Sequence, residues 1–169
     1  MTRLALALAL AASLAGCKRE PSMTLPPTSG NQPAPAIGGE GGGDFVVRDL
    51  RPGGELGAAL TAELSQAQAK HLRPFLEVSA TWCGPCQKLK SSMNDPLMQA
   101  AFKGTYIVRL DLDAWEQSLV KAGYPVKAVP AFFGVGDAGK FNGKQIDGGA
   151  WRDDVPAQMA PVLKKFFNS

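Results

Sequence analysis

The sequence predicts an α/β fold in which a central mixed β-sheet is flanked by helices. From Phe45 onward, short β-rich apolar runs alternate with segments of helical periodicity. Strands separated by helices favour parallel pairing, and two closely spaced runs near the end of the chain predict an antiparallel hairpin. The chain has 169 residues and an apolar fraction of 45%, which is enough for one domain with a buried core.

The first part of the folded region is predicted to contain a helix, a strand and two further helices. Apolar residues at helical spacing predict the helix over 56–71. A short apolar run after a proline predicts the strand over 75–80. Pro85, a residue type favoured in a first turn, opens the next helix, and Asp95 is suited to cap a short helix over 95–102.

The second part is predicted to contain a strand, a helix, a hairpin and a final helix. A β-rich run predicts the strand over 105–112, and the helix over 114–122 is stopped by a glycine. Apolar runs on either side of a turn predict the hairpin strands over 131–135 and 141–146. Apolar residues at helical spacing predict the last helix, over 153–167.

Composition argues against nucleic-acid, metal and cofactor binding. The net charge is only +3, and there is no basic stripe with interleaved aromatic residues. A structural zinc site needs about four Cys or His ligands. Apart from Cys17, the chain has only Cys83, Cys86 and His71 to supply them, and His71 is interpreted as a surface group at a helix end. We therefore expect no metal, no cofactor and no nucleic-acid partner.

Residues 1–16 have the pattern of a signal peptide. Arg3 provides the positive start, and the apolar run from Leu4 to Ala15 is shorter than the roughly 20 residues that span a bilayer. The run ends in Leu14-Ala15-Gly16-Cys17, which resembles the lipobox of bacterial lipoproteins. The resemblance implies that Cys17 is lipidated and becomes the first residue of the mature protein. An ordinary secretory signal that happens to contain a cysteine is the alternative.

Residues 17–43 are predicted to form a lipidated N-terminus and a disordered linker ahead of a domain over 44–169. The linker is rich in Pro, Gly, Ser and Thr and has few apolar residues. Fully extended, it would reach about 90 Å. The resemblance to lipoproteins implies a periplasm-facing position on a bacterial membrane. Lys18, in place of the Asp of the enterobacterial sorting pattern, favours the outer membrane.

The chemistry is predicted to lie in Trp82-Cys83-Gly84-Pro85-Cys86, which follows a predicted strand and opens a predicted helix. Two intervening residues place the sulfurs of Cys83 and Cys86 one helical turn apart, close enough to form a disulfide. Unpaired N–H groups and the dipole at the helix start favour a thiolate on Cys83, the form that attacks a disulfide. Cys86 lies further into the helix and is expected to be shielded until it resolves the mixed disulfide. A metal-binding or structural Cys-X-X-Cys is the alternative.

This pentapeptide resembles the active site of thioredoxins, and the resemblance covers about Phe75 to Phe167. It implies a thioredoxin fold and a cis peptide bond at Val129-Pro130, in a loop that faces the reactive sulfur and docks the substrate. An ordinary trans proline at a strand start is the alternative. The residues to which the resemblance assigns substrate binding are Trp82, Gly84, Pro85, Val129 and Pro130.

Glu77, six residues before Cys83, matches the position of a buried acid in thioredoxins that is thought to accept a proton from the resolving cysteine through water. That acid is usually an Asp, and Glu is one methylene longer. A surface glutamate on an alternating strand is the alternative. In the same family a lysine that matches Arg109 faces the acid, and a glycine that matches Gly148 or Gly149 approaches the site, although an ordinary turn glycine would look the same.

The resemblance implies an enzyme, a thiol–disulfide oxidoreductase that reduces or exchanges protein disulfides in the bacterial periplasm and contributes to cell redox homeostasis. Gly-Pro between the cysteines is the reductase-type dipeptide of the family. The implied partners are protein disulfides, a membrane thiol electron donor and the membrane itself, and we expect a monomer. A dedicated thiol reductase of cytochrome c maturation and a redox-independent binding or chaperone lipoprotein are the alternatives, because a fold alone does not determine function.

Overall fold

The computed structural model describes residues 37–40 and 44–169. The predicted signal peptide over 1–16, Cys17 and most of the predicted linker lie outside these described residues. Within the described ranges, no helix has both the length and the apolar character needed to cross a membrane.

The described residues form one sheet with helices on both faces. The strands are β1 (Ile37–Glu40), β2 (Val46–Asp49), β3 (Arg73–Ser79), β4 (Thr105–Asp111), β5 (Ala131–Val135) and β6 (Phe141–Asp147). The helices are α1 (Leu56–Ala69), α2 (Gly84–Ser91), α3 (Pro96–Phe102), α4 (Leu112–Lys121) and α5 (Pro156–Asn168). Every element predicted from the sequence is present, and its ends differ from the prediction by a few residues at most.

The strand order is β1-β2-β4-β3-β5-β6. Strands β2, β4 and β3 pair in parallel, whereas β1, β5 and β6 are each antiparallel to their neighbours. The predicted mixed sheet with a late antiparallel hairpin is therefore confirmed. Strand β3 lies between β4 and β5, so it is a central strand of the sheet. The cysteine motif follows directly after its carboxyl end.

Two strands at the start of the domain were not predicted. Strand β1, at Ile37–Glu40, lies inside the segment 17–43 that was predicted to be a linker. Its sequence is Ile-Gly-Gly-Glu, and glycine is depleted in strands. In the register of this pairing, Ile37 lies opposite Asp49 and Glu40 lies opposite Val47 on β2. The strand forms because pairing with β2 provides hydrogen-bond partners for its backbone. The local sequence does not predict this pairing.

Apolar side chains pack on both faces of the sheet. One face is covered by α2, α3 and α5, and its buried residues include Leu89, Met98, Phe102, Met159 and Phe167. The other is covered by α1 and α4, and its buried residues include Leu56, Leu60, Trp115, Leu119 and Tyr124. Full burial of a large apolar side chain stabilises the fold by about 1.5–3 kcal/mol. The complete burial of Leu89 anchors α2, the helix whose first turn carries the cysteines.

Candidate active site

The central strand β3 leads directly into the turn that carries the cysteines. Helix α2 begins at Gly84, with Pro85 in its first turn, as predicted. Cys83 is the N-cap of this helix, with an extended backbone (φ −82°, ψ 108°). Its Sγ accepts a hydrogen bond from the backbone N–H of Cys86 at 3.1 Å. The helix thus directs one of its free N–H groups at the Cys83 sulfur, which favours negative charge on that atom.

The two cysteines are joined by a disulfide, with their Cα atoms 5.2 Å apart. Only 4% of Cys83 and 2% of Cys86 is exposed. Together with Ala80 they form a small buried apolar cluster, against which Val129 packs. The expected shielding of Cys86 is present, and Cys83 is also covered in this disulfide form, with Val129 of the neighbouring loop packed against it.

The loop before β5 faces the disulfide. The peptide bond between Val129 and Pro130 is cis, which confirms that expectation. The carbonyl oxygen of Val129 lies 3.5 Å from Sγ of Cys83. The backbone N–H of Gly148 donates to the carbonyl of Pro130 at 2.9 Å. A Cβ atom on Gly148 would lie 3.2 Å from Cδ of Pro130, so this glycine is a close-approach residue and not only a turn residue.

Trp82, Gly84 and Pro85 are exposed beside the disulfide. Trp82 is 63% exposed, and its Nε1–H donates to Oδ2 of Asp113 at 2.8 Å. Asp113 lies in the first turn of α4 and was given no role by sequence reasoning. An indole N–H commonly has an acceptor, but the acceptor here is 31 positions further along the chain, so the pairing was not predictable.

A second contact missed by sequence reasoning steadies the turn itself. Nε2 of Gln87, in α2, donates to the carbonyl of Thr81 at 2.7 Å. This bond ties the start of the helix to the residue just before Trp82. Because the chain between Thr81 and Gln87 contains both cysteines, the contact restricts the movement of the motif relative to the helix.

Glu77 is buried near the carboxyl end of β3, with 1% of its surface exposed, so the alternative of a surface glutamate is wrong. Its Oε1 accepts a hydrogen bond from Nε of Arg109 at 3.0 Å, and Arg109 is its direct partner on β4. Nη1 of Arg109 also lies 3.4 Å from Oδ1 of Asp49 on β2. The acid and its matching cation therefore meet, as the family resemblance implied.

His71, the only histidine of the chain, was considered as a possible metal ligand. His71 is exposed and precedes β3, at the end of the strand opposite to the cysteine motif. Among the described residues, no group of three or more His, Cys, Asp or Glu side chains is placed to hold a metal ion.

Comparison with known proteins agrees with this geometry. The thioredoxin family profile matches residues 58–165. The chain belongs to the thioredoxin family. The matched region includes strand β3, helix α2 with its cysteines, and the loop that contains the cis bond before Pro130. A comparison with curated proteins finds no match.

Solved structures of thioredoxins and related proteins are similar in fold. A disulphide isomerase from Xylella fastidiosa Temecula1 has a TM-score of 0.50 and 19% identity, over 68% of this chain and 90% of that one. A reduced Schistosoma mansoni thioredoxin pre-protein has a TM-score of 0.44 and 21% identity, over 73% and 99% of the two chains. Trichomonas vaginalis thioredoxin has a TM-score of 0.42 and 24% identity, over 63% and 90%.

Thioredoxin-family proteins are thiol–disulfide oxidoreductases, and this chain has the cysteine pair on which that chemistry depends. The sulfur at the helix start can act as the nucleophile, and the second sulfur is within bonding distance to resolve the intermediate. The fold and family predicted from the sequence are confirmed.

Proposed function

We propose that this thioredoxin-family protein reduces or exchanges the disulfides of other proteins through Cys83 and Cys86. The observation that carries the proposal is the hydrogen bond from the Cys86 N–H to the Cys83 sulfur, next to the cis Val129-Pro130 loop. A sulfur so placed is stabilised as a thiolate and is also a good leaving group.

In the proposed cycle, the reduced protein begins as a Cys83 thiolate and a Cys86 thiol. The thiolate attacks one sulfur of a client disulfide, and the other client sulfur leaves as a thiolate. Cys86 then loses its proton and attacks Cys83, which releases the second client thiolate and forms the Cys83–Cys86 disulfide. Two electrons pass to the client in each cycle, and two electrons from a thiol donor restore the dithiol.

Glu77 is the proposed acceptor of the Cys86 proton. It is buried near the carboxyl end of the strand that leads into the motif, and its Oε2 has no hydrogen-bond partner among the described residues. A buried polar atom of this kind is suited to a bound water. Through such a water, the carboxylate would receive the proton when Cys86 becomes the nucleophile.

The proposed client surface consists of the residues around the disulfide, among which Trp82, Gly84 and Pro85 are exposed. The broad face of Trp82 offers apolar contact, and the loop before β5 offers backbone groups next to the Cys83 sulfur. A protein client would therefore dock over the Cys83 side. Residues that line this surface are Trp82, Gly84, Pro85, Val129 and Pro130.

The proposed location is the periplasmic side of a bacterial membrane, held by lipid on Cys17. Support comes from the signal-like pattern over 1–16 and the lipobox-like ending before Cys17. In an oxidising compartment the dithiol needs a supply of electrons. A membrane thiol transporter is the proposed donor.

The direct test is the reduction of insulin disulfides with dithiothreitol as the electron source. Wild-type protein should accelerate the reaction, and Cys83→Ser should abolish the acceleration. A Cys86→Ala variant should accumulate mixed disulfides on Cys83, whose partners identify the clients. Full activity in Cys83→Ser would overturn the proposal. Complementation of a deletion by a Cys83→Ala, Cys86→Ala protein would favour a redox-independent lipoprotein instead.

A further inference from the structure

The end of the sheet opposite to the cysteine motif carries a cluster of basic side chains. Strand β3 runs from Arg73 at this end to Ser79 at the redox end, the end where the motif follows. A strand rises about 3.3 Å per residue, so the two ends of β3 are about 20 Å apart. We call the basic face the surface formed by Lys70, Arg73, Lys103, Lys144, Lys164 and Lys165.

Contacts between separate elements bring these side chains together. Nη2 of Arg73 donates to the carbonyl of Lys103 at 3.0 Å, and Nη1 donates to Oδ1 of Asn168 at 3.1 Å. Asn168 is the last residue of α5, and its Nδ2 donates to the carbonyl of Lys164, one turn earlier, at 2.7 Å. The start of β3, the end of α3 and the end of α5 therefore share one surface.

Lys144 and Lys70 extend the basic face from two further segments. Nζ of Lys144, on β6, donates to a backbone oxygen of Ser169 at 2.7 Å. Burial lowers the pKa of the Lys144 ammonium, and the nearby charge of Arg73 lowers it further. Lys70 follows α1 and borders the same surface depression as Lys103. Positive charges on this face are thus close enough to repel one another.

Few acidic side chains offset this charge. Among the described residues, Asp44 is the only acid that pairs with a member of the basic face, and its Oδ2 lies 3.0 Å from Nζ of Lys103. Lys70, Lys164 and Lys165 are exposed and form no ion pair within the described part of the chain. A face with six cations and one paired acid attracts anionic surfaces.

The redox end has no such excess of positive charge. Besides the buried pair of Glu77 and Arg109, charged side chains of both signs surround the motif at the strand ends and in the adjoining loops. The acids there are Asp49, Asp111, Asp113, Asp147, Asp153 and Asp154, and the bases are Arg51, Lys88, Lys90, Lys127 and Arg152. The charge of the domain is therefore polarised along β3, with the positive end away from the cysteines.

We propose that the basic face docks on a bilayer that contains anionic phospholipids and thereby orients the redox end away from the membrane. The inference rests on the proposed lipid anchor at Cys17, which would hold the chain near such a surface. Each basic side chain close to an anionic bilayer strengthens binding about fivefold. In the docked orientation, the cysteine motif lies about 20 Å further from the bilayer than Arg73 does.

A bilayer suits the basic face better than a nucleic acid does. Proteins that bind single strands stack bases on exposed aromatic side chains. The aromatic side chains beneath the basic face, Phe75, Phe166 and Phe167, are all buried. The signal-like pattern over 1–16 also favours a location outside the cytoplasm.

The point where the tether joins the domain gives docking a consequence. Strand β1 begins at Ile37, opposite Asp49 at the carboxyl end of β2, so the chain enters the domain at the redox end. The segment 17–36, fully extended, would reach about 70 Å. Because this length exceeds that of β3, the tether alone permits either end of the sheet to face the membrane. Docking through the basic face leaves the client surface open to proteins in the aqueous phase.

Vesicle binding tests the basic face directly. The chain from residue 17 onward, with Cys17→Ser, has neither the apolar run nor a lipid that would insert by itself. It is sedimented with vesicles of phosphatidylcholine or of an equal mixture with phosphatidylglycerol. The Lys70→Glu, Lys164→Glu, Lys165→Glu variant should bind the mixed vesicles about a hundredfold more weakly than its parent, because three attractive charges are lost.

The matched control reverses three exposed charges near the redox end, in the variant Arg51→Glu, Lys90→Glu, Lys127→Glu. Its net charge equals that of the first variant, but it should keep most of the binding, because charges about 20 Å from the bilayer lie beyond the Debye length of about 10 Å. Equal losses in the two variants would show that only net charge matters and would overturn the inference. Equal binding of the parent to neutral and mixed vesicles, or tighter binding to duplex DNA than to mixed vesicles, overturns it as well.

Amine labelling tests the orientation of the lipidated protein. The protein purified from membranes is placed in neutral or mixed vesicles, acetylated with a water-soluble reagent and analysed by mass spectrometry. In mixed vesicles Lys164 and Lys165 should react about tenfold more slowly than in neutral ones, the effect of one to two docked cations. Lys90 and Lys127 should react at the same rate in both. Protection of Lys90 and Lys127 instead would place the redox end on the bilayer and overturn the inference.

Two readouts separate this inference from the proposed function. Insulin reduction in solution should be unchanged in the variant of the basic face, because its substitutions lie at the far end of the sheet. A parent protein that does not reduce insulin would contradict the proposed function, whatever its binding to vesicles. A purified protein whose mass shows no lipid on Cys17 would contradict the proposed location and, with it, the tethered orientation.

Discussion

Nε of Arg109 donates a hydrogen bond to Oε1 of Glu77 at 3.0 Å, and the two residues are direct partners on adjacent parallel strands. Exposed fractions of 6% and 1% show that this ion pair lies inside the protein. Glu77 is on the strand that leads into the cysteine motif, so the pair connects the centre of the sheet to the redox site.

Glu77→Gln tests the proposed proton acceptor. The amide keeps the size and much of the hydrogen bonding of the side chain but does not accept a proton at neutral pH. We expect the attack of Cys86 on the mixed disulfide to slow by about a hundredfold, the lower end of general base effects. Rapid-quench measurement of mixed-disulfide decay checks this. Decay at the wild-type rate would show that Glu77 is only structural.

Arg109→Met tests the ion pair as a structural element. Removal of one partner leaves the other charge buried and uncompensated, which costs about 3–5 kcal/mol of the free energy of unfolding. Urea unfolding measures this loss, and adding Glu77→Leu should recover much of it. The control is Lys103→Met, which breaks an exposed ion pair with Asp44 and should cost at most about 1 kcal/mol. Equal losses in the two single variants would contradict the role of burial.

Gly148→Ala tests the contact that supports the cis-proline loop. The added Cβ would lie 3.2 Å from Cδ of Pro130, so this loop must move by a few tenths of an ångström. We expect insulin reduction to slow about fivefold to tenfold, since small misplacements of reacting groups are costly. Gly149→Ala is the control, because its Cβ would meet the side chain of Asp147 instead. If both variants keep full activity, the spacing at Pro130 is not important for catalysis.

Asp113→Ala tests the hydrogen bond that holds Trp82. The pair is exposed, so the free energy of unfolding should change by about 1 kcal/mol or less. The rate with protein clients should fall about threefold to fivefold, because a freely rotating indole loses entropy on docking. Reduction by dithiothreitol should be unaffected. Glu116→Ala, an exposed change on the same helix, is the control and should affect neither rate.

We predict that the burial of Tyr106 and Tyr124 makes the free energy of unfolding decrease at alkaline pH. Burial raises the pKa of each phenol, and the hydrogen bond to Glu63 raises that of Tyr106 further. The unfolded chain has ordinary phenols with a pKa of about 10. Above that pH the unfolded state loses protons that the folded state keeps, so stability that is complete below pH 10 decreases as the pH rises.

Urea unfolding between about pH 8 and pH 11 checks the tyrosine prediction, since the range brackets the ordinary phenol pKa. These are the only two tyrosines in the chain, so the Tyr106→Phe, Tyr124→Phe variant removes phenol titration entirely. It should be less stable at pH 8, because the bonds to Glu63 and Gly139 are lost, and should show a weaker decline toward pH 11. An equally steep decline in this variant would assign the effect to other groups.

Local patterns were sufficient to predict most of the fold. The elements from α1 to α5 follow from apolar periodicity, and the start of α2 follows from Pro85 in a first turn. Strand β1 was not predictable, because its glycine-rich sequence becomes a strand only through pairing with β2. The cis bond before Pro130 was expected from the family resemblance and is present.

The sequence by itself determined the reacting groups, because two cysteines separated by two residues at the start of one helix are held relative to each other by local geometry. Cys83 at the helix start and Cys86 one turn later follow from the motif alone. Only the tertiary structure decided what surrounds them. The burial of Glu77 beside Arg109, the contact of Trp82 with Asp113 and the basic face at the other end of the sheet join residues from separate strands and helices, and such distances depend on how the whole sheet is assembled.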